Sequence, residues 1–356
     1  MPIQTASQAI TNDQSQYGNG SICFRNMIQN GKFEVDQRNS GANTAFYKDG
    51  LNTNYSGPDR WATNNYNSSS SSAFYTLSTD APTGFQKSML TTVTTGAATA
   101  SSNRRNVSQY LEGYVTSPLC WGQGASKAKY ATMSFWVKSS IAGTYAFAVQ
   151  NSDLNRSYVT TYTISATATW EYKTIVIPPC TDGTWYKDNN AGILLFWDLG
   201  QGSSICASSS GQLNSWQSSD LRGYTSAVKL METTGATFQL SGVQLEAGNV
   251  ATPFEHRPYG VELALLLRYY EKIQIQQFTA FRPNAAGGGN WQVGIPYTVK
   301  RTTPSITVNS ATVDGGSVSF TGTEANLNSC RLYGGSTSGG YVAEFDAASV
   351  EINADL

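Results

Sequence analysis

An all-β fold is expected, with an N-terminal jelly-roll β-sandwich, a short linking helix and a smaller C-terminal β-domain. Three observations predict it. Many short runs with β-signals follow one another with turn residues between them, the pattern of an antiparallel sandwich rather than of alternating strands and helices. Only one stretch carries a clear helical apolar spacing. The chain of 356 residues has 13% charged residues but 20 Tyr and 8 Trp, and that charged share is about half the usual one. Its polarity comes from Ser, Thr, Asn and Gln, which suits rigid β-scaffolds that meet partners through aromatic and amide groups, or subunits of large assemblies.

Residues 1–20 are polar and aperiodic and read as an extended arm, either a loose terminus or a segment docked on another subunit. The jelly roll is assigned to residues 21–258. It opens with Ile22, Phe24, Met27, Ile28 and Phe33 around an Asn30-Gly31 turn signal. Residues 39–72 read mostly as loop, with Trp61 after a Pro58-Asp59 turn and an exposed serine run at 68–72. Strands are expected over 73–78, 86–95, 108–114, 131–138, 143–150, 157–164, 170–177, 193–199, 227–232 and 237–245. Within 133–138, Met133, Phe135 and Val137 point to the core while Ser134, Trp136 and Lys138 point away. The continuously apolar run 193–197 fits a strand covered on both faces.

The stretch 242–272 joins two parts of different character. Its strand ends near Ala247, and Pro253 and Pro258 hold off helix until about Tyr259. A linking helix is assigned to residues 259–273, because Leu263, Leu266, Leu267 and Tyr270 fall on one face, with Glu262 in the first turn and Arg268 and Lys272 in the last. A helix this short needs partners. Leu263, Leu266, Leu267, Tyr269 and Tyr270 are therefore assigned to a domain or subunit junction. The C-terminal β-domain, residues 274–356, is expected to hold strands at 274–281, 292–299, 305–309, 318–321, 330–332, 340–345 and 351–356, with the glycine run 287–289 at a hairpin tip.

The junction string QLEAGNVATPFEHRPYGVELAL...RYYEK, the opening RNMIQNGKFEVDQR (25–38) and GPDRW (57–61) resemble tail-fibre and other virion-surface proteins of tailed bacteriophages, in which such a junction closes a carbohydrate-binding-module-like jelly roll. IPYTVKRTTPSITV (295–308) resembles their second half more loosely. The resemblance implies a structural virion protein, foremost a homotrimeric tail-fibre or adhesin subunit that contacts host cell-surface glycan and other tail or capsid proteins. A capsid decoration protein is the alternative, and a glycan-degrading tailspike-like enzyme ranks third. It also implies assembly in the host cytoplasm and display on the virion surface. Modules of this kind often hold a structural calcium near the position of Glu34 and the last strand, where this chain has Gln244 and Glu246 in place of Asp.

Several chemistries find no support in the residues. A net charge of −1 and the lack of basic runs argue against nucleic-acid binding. No apolar run nears a membrane span of about 18–20 residues, and no signal-peptide pattern is visible, so neither membrane insertion nor export is expected. The five cysteines are scattered and odd in number, which favours free thiols over disulfides or zinc. The single histidine, His256, lies between Glu255 and Arg257 and reads as a packing residue. There is no phosphate loop and no nucleophile elbow. Paired carboxylates for glycoside hydrolysis depend on the fold, not on sequence spacing. The absence of short β-helix repeats weighs against a tailspike. No catalytic residue, metal or cofactor is expected.

A lectin-like site needs flat rings beside amide or carboxylate groups. Candidate glycan platforms are Trp61 with Tyr66, Trp121 with Gln123, Trp185 with Tyr186 and Asp188, and Trp216 with Gln217. For each ring the competing reading is burial against its own sheet.

Overall fold

A computed structural model describes residues 24–46, 55–67, 70–281, 289–309, 312–314, 318–336 and 342–356. The expected arm and the glycine hairpin tip lie outside them, except for Gly289. The chain divides into two compact units, Met1–Tyr259 with Leu356 and Gly260–Asp355.

In chain order the first unit forms β1 (Thr44–Ala45), β2 (Ala62–Tyr66), β3 (Ser72–Ser78), β4 (Ser88–Thr95), β5 (Arg104–Glu112), β6 (Ala131–Ser139), β7 (Gly143–Gln150), β8 (Ser157–Ile164), β9 (Glu171–Ile177), β10 (Ala191–Asp198), β11 (Cys206–Ala207), β12 (Trp216–Gln217), β13 (Gly223–Tyr224) and β14 (Thr237–Ala247). Two six-stranded sheets, ordered β1-β3-β4-β14-β6-β9 and β12-β8-β7-β10-β5-β2, make the jelly-roll sandwich, and all their pairings are antiparallel. Non-sequential neighbours such as β4-β14 and β10-β5 are the crossovers of that topology.

Between the sheets Met133, Phe135 and Val137 meet Phe147, Trp197 and Leu195, all fully buried. The Phe135 ring stands edge-on to Tyr162 at 5.1 Å and to Trp197 at 5.8 Å. The run 193–197 is covered on both faces as its composition predicts. Ile193, Leu195 and Trp197 enter the central core, while Leu194 and Phe196 lie in a second cluster under residues 199–229, which contribute Ala207, Leu221 and Ala227. That segment is pinned by the buried Asp198 carboxylate, which accepts the backbone N–H groups of Gly200 and Gln201 at 2.8 and 2.7 Å and of Tyr224 at 3.3 Å.

The expected strands stand at most positions, with instructive exceptions. Residues 39–72 hold the strand β2, whose buried Asn65 donates to the Ser71 carbonyl and accepts from the Ser71 hydroxyl. Ser71 of the serine run is accordingly buried, not exposed. The strand expected over 108–114 begins earlier and stops at Glu112, and Gly113–Thr116 turns into a short helix. Residues 227–232 form no strand; they end in the 3-10 turn Leu230–Glu232.

The second unit opens with the helix, which spans Tyr259–Leu267. It is shorter than the expected 259–273. The Tyr269 N–H closes back on the Leu266 carbonyl at 2.9 Å, and from Tyr270 the chain pairs as a strand with the end of the chain, Tyr270 against Asn353. Tyr270 therefore leaves the helical stripe, and Arg268 and Lys272 lie beyond the last turn. Leu266, Tyr269 and Tyr270 are buried, Leu263 and Leu267 half-buried. The remaining strands are β15 (Tyr270–Phe281), β16 (Gly289–Pro296), β17 (Ser305–Asn309), β18 (Thr312–Asp314), β19 (Val318–Ala325), β20 (Ser329–Ser336) and β21 (Val342–Asn353). β21 merges the two strands expected over 340–345 and 351–356, and it pairs with β15, β17 and β18. Val350 and Ile352 of β21 pack with Ile295, Tyr297, Cys330 and Leu332 as this unit's core.

Candidate functional site

The nominated tryptophans fall into two groups, and neither presents an open ring face. Trp61 is wholly enclosed, 4.8 Å from the Phe33 ring and 5.5 Å from Trp197, with its indole N–H on the Asn30 carbonyl at 3.2 Å. Trp121, Trp185 and Trp216 come together as an edge-to-face triad, with centroids 4.8, 5.2 and 5.5 Å apart. Each indole N–H is satisfied by a backbone carbonyl, those of Lys129, Asp182 and Pro178 respectively. Trp121 and Trp185 are buried and Trp216 half-buried. Segments that read as exposed are folded onto the central core, with Trp216 on the edge strand β12 and Trp121 and Trp185 in the connections packed beside it.

Beside the triad, Thr116, Tyr186 and Lys187 line a recess of about 10 Å³, room for about one water and none for a sugar ring. Tyr186 donates to Asp153 at 3.2 Å, and Asp188 caps its own turn through the Asn190 N–H at 2.9 Å. Gln123 is exposed and Gln217 donates to Ser215.

An open aromatic ledge lies elsewhere, on the outer face of the first sheet. Alternation turns Trp136 outward on β6, and the register sets it opposite Tyr172 of β9, the sheet's terminal strand. The two rings are 5.3 Å apart, and Tyr172 is 44% exposed. Trp170, just before β9, lies 5.9 Å from the Lys138 ammonium and donates its indole N–H to Asp80 at 3.1 Å. Lys138 is ion-paired to the same carboxylate at 2.6 Å, and Gln239 reaches it at 3.3 Å. The Lys138 hydrogen bond holds the Asp80 carboxyl below its ordinary range. Three rings in a row beside a fixed carboxylate, ammonium and amide can cover an apolar C–H surface while bonding hydroxyls at its rim. The outward Trp136 was legible in the sequence; its meeting with Tyr172 was not, because that depends on strand register.

A second polar strip runs along the β2 edge of the other sheet's outer face. Tyr66 stands opposite Arg104, Asn64 opposite Asn106, and Tyr110 opposite Leu194. Tyr110 meets Phe196 edge-on at 6.0 Å, and the Arg222 guanidinium lies 4.9 Å over the Phe196 ring. Arg222 is paired with Asp220 through Nε and Nη2 at 2.7 and 3.2 Å. Tyr66 is thus a nominated ring that reaches a half-open polar surface, as Tyr186 does beside Asp153.

The calcium that the resemblance implies does not fit these residues. The Gln244 side-chain oxygen accepts the Glu255 N–H at 2.8 Å, so its NH₂ faces inward, 3.0 Å from Glu246 Oε1, 3.3 Å from Thr252 Oγ1 and 3.4 Å from the Thr252 carbonyl. An amide donor occupies the centre that a cation would need. Glu34 is meanwhile paired with Lys32 at 2.8 Å. Among the described residues no group of three His, Cys, Asp or Glu side chains comes together. A chelator should leave the melting temperature unchanged within about 1 °C, and a drop of several degrees in calorimetry would contradict the amide's role.

His256 completes a three-ring cluster with Phe85 and Phe254, at 5.3 and 5.0 Å. The cluster leans on Gly242, whose φ is +58° and where a Cβ would come within 2.5 Å of the Phe85 ring. Partial burial, and then the nearby Lys32, lower the imidazole pKa and so favour the neutral ring.

No family model and no curated protein sequence matches the chain. Solved structures similar to it include the enzymatically active domain of bacteriophage CBA120 tailspike protein 4 (13% identity, TM-score 0.31, 63% of this chain but only 21% of that one). A family 11 carbohydrate-binding module from Clostridium thermocellum, in complex with a β-1,3-1,4-mixed-linked tetrasaccharide, is similar over 59% of this chain and 99% of its own (13% identity, TM-score 0.29). The family 22 module and catalytic module of xylanase 10B from the same organism, complexed with xylohexaose, match 61% of this chain and 29% of theirs (11% identity, TM-score 0.28).

Proposed function

We propose that this chain is a non-enzymatic, saccharide-contacting surface subunit of a tailed-phage virion, acting as a homotrimeric tail fibre or adhesin. The observation that carries the saccharide reading is the exposed Tyr172 ring with the half-buried Trp136 and Trp170 beside Asp80, Lys138 and Gln239, because it joins flat apolar rings to fixed donors and acceptors. The virion reading rests on the junction string and on the two N-terminal segments that accompany it. Weak single sites suffice in such a role, since three copies on one axis, repeated over a particle, raise attachment by avidity.

Trp136→Ala and Tyr172→Ala should each weaken binding of the purified protein to host-cell polysaccharide about five- to tenfold, the equivalent of about 1 kcal/mol per ring contact. Their melting temperatures should stay near wild type, because both rings are partly solvated. Unchanged affinity in both variants rejects the ledge as the binding face. Sedimentation at micromolar concentration should give three times the 38.4 kDa chain mass; a monomer rejects the trimer. Imaging of intact particles should place the subunit on the tail, and a capsid position would make it a decoration protein.

A further inference from the structure

We infer that the strip formed by Tyr66, Arg104, Tyr110 and Arg222 on the second sheet is a binding site for the carboxylate of an acidic saccharide. It is a different surface from the Trp136 ledge and stands independently of it. The outer face of this sheet is largely closed by residues 199–229, whose Ala207, Leu221 and Ala227 pack on Ala146, Ala148, Val159, Leu194 and Phe196. The strip along β5 and the terminal strand β2 retains half-exposed side chains, namely Asn64, Tyr66, Arg104 and Tyr110.

Charge on this strip is unbalanced. Arg222 is buried over Phe196 and neutralised by Asp220. The half-buried side chain of Arg104 makes no hydrogen bond or ion pair with the described residues, although the electrostatics of Arg222, Asp220, Tyr110 and Tyr66 all reach it. Burial first, and the Arg222 cation second, lower its guanidinium pKa, the mark of a cation held near a like charge. A guanidinium that extended into water would avoid both penalties. Two cations and one carboxylate leave one positive charge, and the open guanidinium offers a planar fork of donors that matches a carboxylate bidentately. Tyrosines flank it. Tyr66 lies directly across the strand pair, and Tyr110 stands six residues along β5, about 20 Å by strand rise. Two rings and the Asn64 amide on the same strip as the guanidinium offer apolar faces and hydroxyl partners beside the charge, so an oligosaccharide bearing a carboxylate fits the strip's chemistry better than a lone ion.

The full chain can be titrated calorimetrically with trigalacturonic acid, with its fully methyl-esterified form and with inorganic phosphate. The acid should bind at least tenfold tighter than the ester, and its affinity should fall as salt rises. Arg104→Gln should reduce acid binding about tenfold or more, Arg104→Lys should recover part of it, and both should melt like wild type. Tyr172→Ala should change acid and ester binding by the same factor, whereas Arg104→Gln should change the acid alone, which separates this site from the first-sheet ledge. Equal affinity for acid and ester, an Arg104→Gln variant that binds normally, or phosphate that displaces the saccharide at equal concentration would overturn the inference.

Discussion

Trp61→Ala should lower the free energy of unfolding by about 3–5 kcal/mol, the range for removing a fully buried indole. The ring is the largest enclosed side chain near the chain's entry into the sandwich, wedged between Phe33 and Trp197. Its loss would open a cavity that the surrounding backbone cannot close, because that backbone is held on several sides. The Trp61 N–H bonds to the Pro58 carbonyl, the Gly57 N–H to the Trp61 carbonyl, and the Asn30 amide to the Val35 and Asp59 carbonyls. Urea titration should show a lower midpoint with an unchanged slope. Trp61→Phe should cost less, since it keeps most of the packing and removes one donor from a carbonyl that Phe33 still satisfies. A Trp61→Ala protein that unfolds at the wild-type midpoint would refute the enclosed position.

Trp121→Ala should cost a similar 3–5 kcal/mol, and the affinity per folded molecule for host polysaccharide should not change. Three indoles lean edge-on against each other at the margin of the core, and removing Trp121 takes away two ring contacts and leaves the Lys129 carbonyl without its indole donor. Trp185→Ala should behave alike, because it too is buried and meets both partners. Denaturation and binding measured on the same preparations separate the two readings of these loops. If attachment fell while stability held, the triad would be a ligand platform after all.

Strand periodicity was strong enough to be read locally. Met133, Phe135 and Val137 alternate against Ser134, Trp136 and Lys138, and the structure buries the first set and leaves Trp136 and Lys138 of the second half-exposed, while Ser134 is itself covered. The continuous run 193–197 announced cover on both faces for the same reason: a side chain's face follows from its parity, and five apolar residues in a row leave no face for water. Local signals were weakest where side chains satisfy one another. β2 is a strand because it pairs with the distant β5, with Asn65 and Ser71 satisfying each other beside it, yet the segment's composition reads as loop. The helix was recognisable from its leucines, but its end was not, since capture of Tyr270 by β21 is a long-range pairing.

The sequence by itself determined an all-β chain with one clear helical stretch about three-quarters of the way along and no local motif for phosphate, metal or nucleophilic chemistry, because these depend on periodicity, composition and residue spacing along the chain. Only the tertiary structure decided which rings face water. A tryptophan in a loop has the same local sequence whether it is folded onto the core, as Trp121 and Trp185 are, or left at the surface. Burial depends on the second sheet, the connections packed on the core and the register that sets Trp136 beside Tyr172, all of them contacts between residues far apart in the chain.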